Sequence, residues 1–230
     1  MYKHLFFDLD HTLWDFDRNS AESIAELFEQ HRLVELGMPS AEDFSEKFIE
    51  INRRLWRAFD LNELTHAYIR ENRFPMVLEA LGITDITGFP DLNEGYLSLL
   101  PRKAHLTDAA RDLLDHLHGR YEMHIITNGF DDIQALKLVS SDIAHYFTHV
   151  VTNDKSGGYK KPDPRIFEFA LNIAGANVKE SLMIGDNYEA DIRGAQSVGL
   201  DTVFYNPKGE VVEIPATHDI LHWQELIELL

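Results

Sequence analysis

Two aspartates separated by one residue, Asp8 and Asp10, follow the short apolar run Leu5-Phe6-Phe7. In a strand, residues two apart share a face, so both carboxylates would emerge together at its carboxyl end. Carboxylates forced together repel unless a cation or a shared proton relieves them, as in acid–base and metal-dependent chemistry; a pair of solvated loop acids is the plain alternative. Further along, Ile126-Thr127-Asn128-Gly129 can offer a hydroxyl and neighbouring backbone N–H groups to an anion, although Thr-Asn-Gly is also ordinary turn chemistry. Lys161 stands just ahead of Pro162-Asp163-Pro164, either a cation fixed beside a phosphate at a helix start or a surface lysine in a loop. Asp186 and Asp191, after Ile184-Gly185, can face one site where a turn leads into a helix, and Gly185 permits the close approach such a turn needs. Helix capping would also account for Asp186.

The elements that must position these groups read as an alternation of strands and helices. Apolar runs ending in polar residues occur at 5–8, 123–128, 149–153, 182–186 and 202–206, the pattern of buried parallel strands. Thr107 is placed to cap a helix carrying Ala110, Leu113, Leu114 and Leu117, with Gly119 closing it. Asp163-Pro164 starts another, with a stripe of Ile166, Phe167, Ala170, Leu171 and Ala174 ending at Gly175, and a third spans 191–199. Repeated units of this kind predict an α/β fold, a doubly wound parallel sheet of the Rossmann-like type with its ligands at the strands' carboxyl ends. Residues 16–100 interrupt it with helical periodicity alone. Ser20 is a cap candidate before Ile24, Leu27 and Phe28; Phe44, Phe48, Ile51, Leu55 and Phe59 form a second stripe; further helices are expected near 64–68, 75–81 and 91–100. The expected organisation is therefore a core of 1–15 and 101–230 with an all-helical insert at 16–100.

Taken in chain order, these pieces resemble the motifs of the haloacid dehalogenase superfamily of phosphotransferases. Its Asp-x-Asp-x-Thr motif falls on Asp8, Asp10 and Thr12, its Ser/Thr motif on Thr127, its lysine on Lys161, and its last acidic motif on Asp186 and Asp191. The insert sits where that family carries its type I helical cap. Asp8 to Phe16, with histidine at position 11 where many relatives have glycine, and Arg70-Glu71-Asn72-Arg73-Phe74 are similar to the pyrimidine 5′-nucleotidase branch. The resemblance implies that Asp8 is a nucleophile forming an aspartyl-phosphate and that Asp10 is the general acid and base. It implies Mg²⁺ held by the Asp8 carboxylate, the Asp10 backbone carbonyl and Asp186, with Asp191 either a ligand through water or a partner behind the ligands. Thr127, the backbone N–H of Asn128 and Lys161 would bind the phosphoryl oxygens.

Composition narrows the partners. A formal net charge of −18, from 21 Lys+Arg against 39 Asp+Glu, disfavours nucleic-acid polymers. No run approaches the roughly 18 apolar residues of a membrane span, and the absence of cysteine removes disulfides and thiolate chemistry and fits a cytoplasmic protein. A dehalogenase of the same fold lacks the second acid and needs no metal, so Asp10 and Asp186 argue against it. A mutase or a phosphatase acting on sugar phosphates shares the core motifs, whereas a phosphoaspartate signalling domain is shorter, without the insert. The expected substrate is a small phosphomonoester, a nucleoside 5′-monophosphate with a pyrimidine base. Trp14, Phe16, Trp56, Phe59 and Tyr68 are the candidate stacking surfaces, with Arg53 and Arg73 as possible donors. The oligomeric state is not legible.

Overall fold

The computed structural model describes residues 1–85 and 87–230, and the chain divides into two compact units, Met1–Asp15 with His105–Leu230 and Phe16–Ala104. In chain order the strands are β1 (His4–Phe7), β2 (Glu122–Ile126), β3 (Phe147–Val151), β4 (Ser181–Gly185), β5 (Asp201–Tyr205) and β6 (His218–Ile220). The helices of the second unit are α1 (Phe16–His31), α2 (Ala41–Asp60), α3 (His66–Ala80) and α4 (Leu92–Leu99). Those of the first are α5 (Ala110–Leu117), α6 (Asp131–Ser140), α7 (Pro164–Ala174), α8 (Gly194–Ser197) and α9 (Trp223–Leu229).

The first unit holds a six-stranded sheet in the order β3-β2-β1-β4-β5-β6, every pairing parallel. β1 lies in the interior of this order between β2 and β4, which is why its residues Leu5, Phe6 and Phe7 are all buried and apolar. On one face Phe6, Ile126, Val151 and Met183 pack with Ile166, Phe167 and Ala170 of α7. Asp163 caps α7 by accepting from the Arg165 N–H at 3.0 Å, and Gly175, at φ +60, ends it in the left-handed conformation that glycine adopts without strain.

Several local expectations fail for definite reasons. Thr107 does not cap α5, whose preceding residue Ala109 sits at φ +57; its hydroxyl instead donates to the Thr12 carbonyl at 2.7 Å and accepts from the Trp223 indole at 3.1 Å. Hydroxyls that cap and hydroxyls that tie loops have the same sequence signature. The strand β6 is only three residues long, too short for a pattern to emerge against neighbouring loop. The expected 191–199 helix is a π-helical turn, Tyr188–Arg193, running into α8.

The second unit, considered by itself, contains no strand among its described residues. Its interior is aromatic: Phe44, Phe48, Phe74 and Tyr96 stack or meet edge-on at 4.9–6.0 Å between ring centres. Ser20 lies inside α1, its hydroxyl 2.9 Å from the Tyr96 hydroxyl, so it is a buried polar contact rather than a cap. α3 runs through Pro75, where a new helix start was expected. The buried residues Ile69, Arg73, Phe74, Val77 and Leu78 continue at helical spacing across the proline, and their packing offsets the lost backbone bond. The return to the sheet-bearing unit comes at His105, four residues later than the expected 101, because Leu100–Arg102 continues the helical path as a 3₁₀ turn.

Gly194 tests how tightly α8 sits. A methyl group there would lie 2.7 Å from the Phe167 ring and 2.9 Å from the Pro162 backbone. Gly194→Ala is therefore expected to destabilise the fold by about 1–3 kcal/mol through overpacking, despite alanine's better helix propensity. Urea denaturation checks this, and an unchanged midpoint would refute it.

Candidate active site

Asp8 leaves β1 with its N–H still donating to the Ile184 carbonyl of β4 at 2.9 Å, so the pairing of these strands sets its carboxylate beside the residues that follow β4. The chain then folds back on itself. The Leu13 and Trp14 N–H groups both donate to the Leu9 carbonyl, at 3.0 and 2.8 Å, and His11 adopts φ +63. That left-handed conformation costs an ordinary residue roughly 1–2 kcal/mol and explains why a glycine is at home in this position. The turn directs Thr12 inward. Its buried hydroxyl lies 2.9 Å from Asp186 Oδ1 and 3.3 Å from Asp8 Oδ2, and accepts from the Asp186 N–H at 3.1 Å.

Asp8, Asp186 and Asp191 converge, with one oxygen from each lying within 4.8 Å of the others. Gly185 makes this possible, because a side chain there would occupy the position of the Asp191 carboxylate. Lys161 neutralises part of the charge: its ammonium is 2.5 Å from Asp8 Oδ1 and 2.7 Å from Asp191 Oδ1, and donates to the Ile126 carbonyl at 2.7 Å. Asp8 Oδ1 and the Ile126 carbonyl accept hydrogen bonds from the ammonium, and Asp191 pairs with it through charge. Asn128 fixes the lysine backbone from both sides, accepting from the Lys161 N–H and donating to its carbonyl, each at 2.8 Å.

The electrostatics follow from this geometry. Burial pushes the Asp8 carboxyl up to about 6; Lys161 opposes that, and Asp191 and Asp10 reinforce it. Burial, then Asp8 and Asp191, raise Asp186 well above the usual carboxylate range. Burial would lower the Lys161 ammonium, but the attraction of Asp191 and Asp8 outweighs it and holds the group above its ordinary value. Burial together with like charge disfavours full ionisation of these acids. An all-oxygen, carboxylate-rich cluster with a single buried lysine suits a hard divalent cation such as Mg²⁺.

Asp10 goes elsewhere. Its carboxylate accepts from Lys137 Nζ at 2.6 Å and from Gln134 Nε2 at 2.9 Å, so its side chain is engaged with α6 and is not a member of the Asp8–Asp186–Asp191 cluster. Gln134 Nε2 also donates to Thr127 Oγ1 at 2.7 Å, and the Gly129 N–H donates to the same oxygen at 3.1 Å. Both bonds use Thr127 as acceptor, which leaves its own hydroxyl proton for another partner. Gln134 and Lys137 were not singled out from the sequence. The available signal was a glutamine and a lysine three apart on a helix that opens with Asp131 and Asp132, which looks like a solvated face until both prove buried.

The expected stacking aromatics divide. Trp14 is fully buried, its indole N–H donating to Ser141 Oγ at 3.1 Å, with the Lys137 ammonium 4.3 Å from its ring centre. It supports the lysine that binds Asp10 and offers no stacking surface. Phe16 and Phe59 are buried as well, whereas Trp56 is half-buried and Tyr68 is 40% exposed. Arg53 is exposed. Arg73 is buried against the Phe48, Phe74 and Tyr96 rings, donating to Asn52 Oδ1 at 3.2 Å and Asn93 Oδ1 at 3.3 Å. Burial holds that guanidinium below its ordinary value.

A family model for haloacid dehalogenase-like hydrolases matches residues 2–199. The chain is 31% identical over 233 residues to pyrimidine 5′-nucleotidase PynA of Streptococcus pneumoniae, covering 100% of this chain and 95% of that protein. It is 30% identical to pyrimidine 5′-nucleotidase YjjG of Escherichia coli, covering 88% of this chain and 85% of the relative. The crystal structure of the magnesium-bound HAD-hydrolase YfnB from Bacillus subtilis superposes with a TM-score of 0.86 at 29% identity, covering 99% of this chain and 98% of that one.

Two outcomes test the site. Because folding raises the Asp8 carboxyl from its ordinary value to about 6, the stability this group lends the cation-free fold is present at low pH and lost as pH rises through about 6. A Mg²⁺ bound by this cluster would replace that proton, so the rise in Tm on adding excess Mg²⁺ should be small at about pH 5 and larger at about pH 7.5. A rise independent of pH would count against the cluster as the cation site. Lys137→Met should lower kcat by about 10–100-fold with little change in KM, because Asp10 loses its firmest anchor. Wild-type kcat in that variant would show that the ion pair is merely structural.

Proposed function

This chain belongs to the haloacid dehalogenase-like hydrolase family, and on that premise we propose that it hydrolyses phosphomonoesters through an aspartyl-phosphate on Asp8. Its preferred substrate on this reading is a nucleoside 5′-monophosphate with a pyrimidine base. The observation that carries the reaction is a buried aspartate at the carboxyl end of an interior strand, held between a buried lysine and two further acids. The proposed substrate rests on the near full-length likeness to proteins named pyrimidine 5′-nucleotidases.

In this reading an Asp8 oxygen attacks phosphorus while the bond to the leaving oxygen breaks. Asp10 gives that oxygen its proton. Asp10 then takes a proton from water as the water attacks phosphorus, releasing phosphate and restoring Asp8. As an acceptor of two donors, Asp10 must exchange one of them for a proton before it can act as the acid. Thr127, with its hydroxyl proton unspent on Gln134 and Gly129, and Lys161 are the donors for phosphoryl oxygens, where transition-state charge gathers. Asn128 acts through its amide on the Lys161 backbone, in addition to any contact from its own N–H.

Mg²⁺ would be held by the Asp8 and Asp186 carboxylates and the Asp10 carbonyl, and it would supply positive charge that lets an anionic nucleophile approach an anionic phosphoryl group. Asp191, ion-paired with Lys161, is assigned to orienting that lysine behind the cation. Groups that hold phosphoryl oxygens cannot distinguish one phosphomonoester from another. Selectivity for a base is therefore assigned to the helical unit as its cap, with Trp56, half-buried, and Tyr68, exposed, as the candidate stacking residues.

Steady-state kinetics over nucleoside 5′-monophosphates and hexose phosphates, with Asp8→Asn as control, test the proposal. The Asp8 variant should lose turnover by at least about 10³-fold, and pyrimidine monophosphates should give the highest kcat/KM. A hexose phosphate favoured by an order of magnitude or more would overturn the nucleotidase reading, and an active Asp8 variant would overturn the covalent mechanism.

A further inference from the structure

The reaction uses the carboxyl ends of the strands, yet a second group of ligating side chains gathers near their amino ends. His4 opens β1 and stands opposite Glu122 in register, while His124, two residues along β2 on the same sheet face, stands opposite Phe6. His4 Nδ1 lies 3.3 Å from His124 Nε2 and 3.8 Å from Glu122 Oε2, and one ligand atom from each residue falls within 4.8 Å of the others. Ligands bound at about 2.0–2.1 Å in a tetrahedral zinc site stand roughly 3.4 Å apart. The trio therefore has nearly the spacing such an ion would impose.

His124 makes the grouping unusual. It is fully buried within a parallel sheet, where an apolar side chain would incur no polar desolvation. Its ring stacks between those of His4 and His149, at 5.5 and 5.4 Å, with Phe6 at 4.8 Å. Among the described residues its Nδ1 has no hydrogen-bond partner, so the ring is held through Nε2 facing His4 and through stacking. Burial first, then the neighbouring imidazoles of His4 and His149, push it down to about 4. Glu122 is 63% exposed in its side chain, giving the cluster an anionic ligand and an entry from solvent.

We propose that His4 Nδ1, His124 Nε2 and the Glu122 carboxylate bind a divalent transition metal of the zinc class, with water completing its coordination, at a site separate from the acidic cluster. Two imidazoles and one carboxylate are borderline-soft ligands that favour Zn²⁺ or Co²⁺ over Mg²⁺, the reverse of the all-oxygen cluster. Bound there, the ion would join β1 to β2 beyond their backbone pairing.

The test titrates Zn²⁺ into tag-free full-length protein with the acidic cluster saturated by Mg²⁺, following heat, Tm and, with Co²⁺ in place of Zn²⁺, visible absorption. One equivalent should bind, raise Tm and give Co²⁺ the intensified spectrum of nitrogen ligation. His4→Ala and Glu122→Gln, which disturb the core less than a change at His124, should each weaken binding by about tenfold or more while leaving Mg²⁺-supported kcat unchanged. Zn²⁺ affinity unaltered by His4→Ala, or no binding at about 0.1 mM Zn²⁺, would overturn the proposal and leave the pair as an N–H···N hydrogen bond.

Discussion

Mutual repulsion among Asp8, Asp186 and Asp191, relieved by the single ammonium of Lys161, is the constraint around which the sheet-bearing unit is arranged. Bringing these acids together without solvent is expensive, and each supporting feature limits that cost. The parallel pairing of β1 with β4 sets Asp8 beside Asp186. Gly185 yields the space that Asp191 fills, and the Asn187 N–H donates to Asp191 Oδ2 at 3.0 Å. Thr12 joins two of the acids through one hydroxyl. Asn128 holds the lysine backbone, so the ammonium does not pay the full entropy of a long free side chain. One lysine leaves these carboxylates short of compensation, in keeping with the upward shift of the Asp8 and Asp186 carboxyls toward their protonated forms, and such a deficit suits a divalent cation.

A second charge pair lies alongside the first and separates the roles of two aspartates that look alike in sequence. Asp8 is bound to a lysine that also serves another acid, whereas Asp10 is bound to Lys137, whose ammonium lies over the Trp14 ring. A cation against an indole face is stabilised by the ring, so Trp14 supports the charge that Lys137 brings to Asp10. Gln134 joins this pair to Thr127 by donating to both, so a shift of Asp10 is felt at the hydroxyl assigned to the phosphoryl group. The proposed acid–base group and the proposed anion donor thus share one amide.

The sequence revealed the site where chemistry coincides with punctuation. Asp8, Thr127 and Asp186 could be found because apolar runs stop at them, and the strands do end within a residue of each. Asp163-Pro164 and Gly175 were legible because capping chemistry acts within a few residues. What escaped was chemistry made by tertiary contact. Gln134 and Lys137 carry residue types typical of an exposed helix, and only the position of α6 beside the turn after β1 buries them. Trp14 looked like a free ring because nothing local marks a tryptophan as the platform beneath a lysine. Thr107 looked like a cap because a hydroxyl before a helix usually is one, whereas here the demand of the Thr12 carbonyl and the Trp223 indole is met first.

The two ends of the same strands also follow opposite chemical rules. At the carboxyl ends backbone carbonyls and carboxylates meet a lysine, an oxygen-rich field suited to hard cations and phosphoryl groups. Near the amino ends, the first β1 residue and its β2 neighbours place imidazoles face to face, with their nitrogen atoms as the polar groups in an otherwise apolar layer. Parallel register makes this separation possible. It aligns like positions of neighbouring strands, so His124 stands opposite His149 of β3, while His4, opposite Glu122 and two residues short of that level, meets the His124 ring diagonally on the same face. A buried imidazole at His124 adds little that Val or Ile would not add to the packing, while it forgoes hydrogen bonds that water would have made. A ligand that uses nitrogen lone pairs, as proposed for this group, would offset that cost at His124, which packing of the core alone does not.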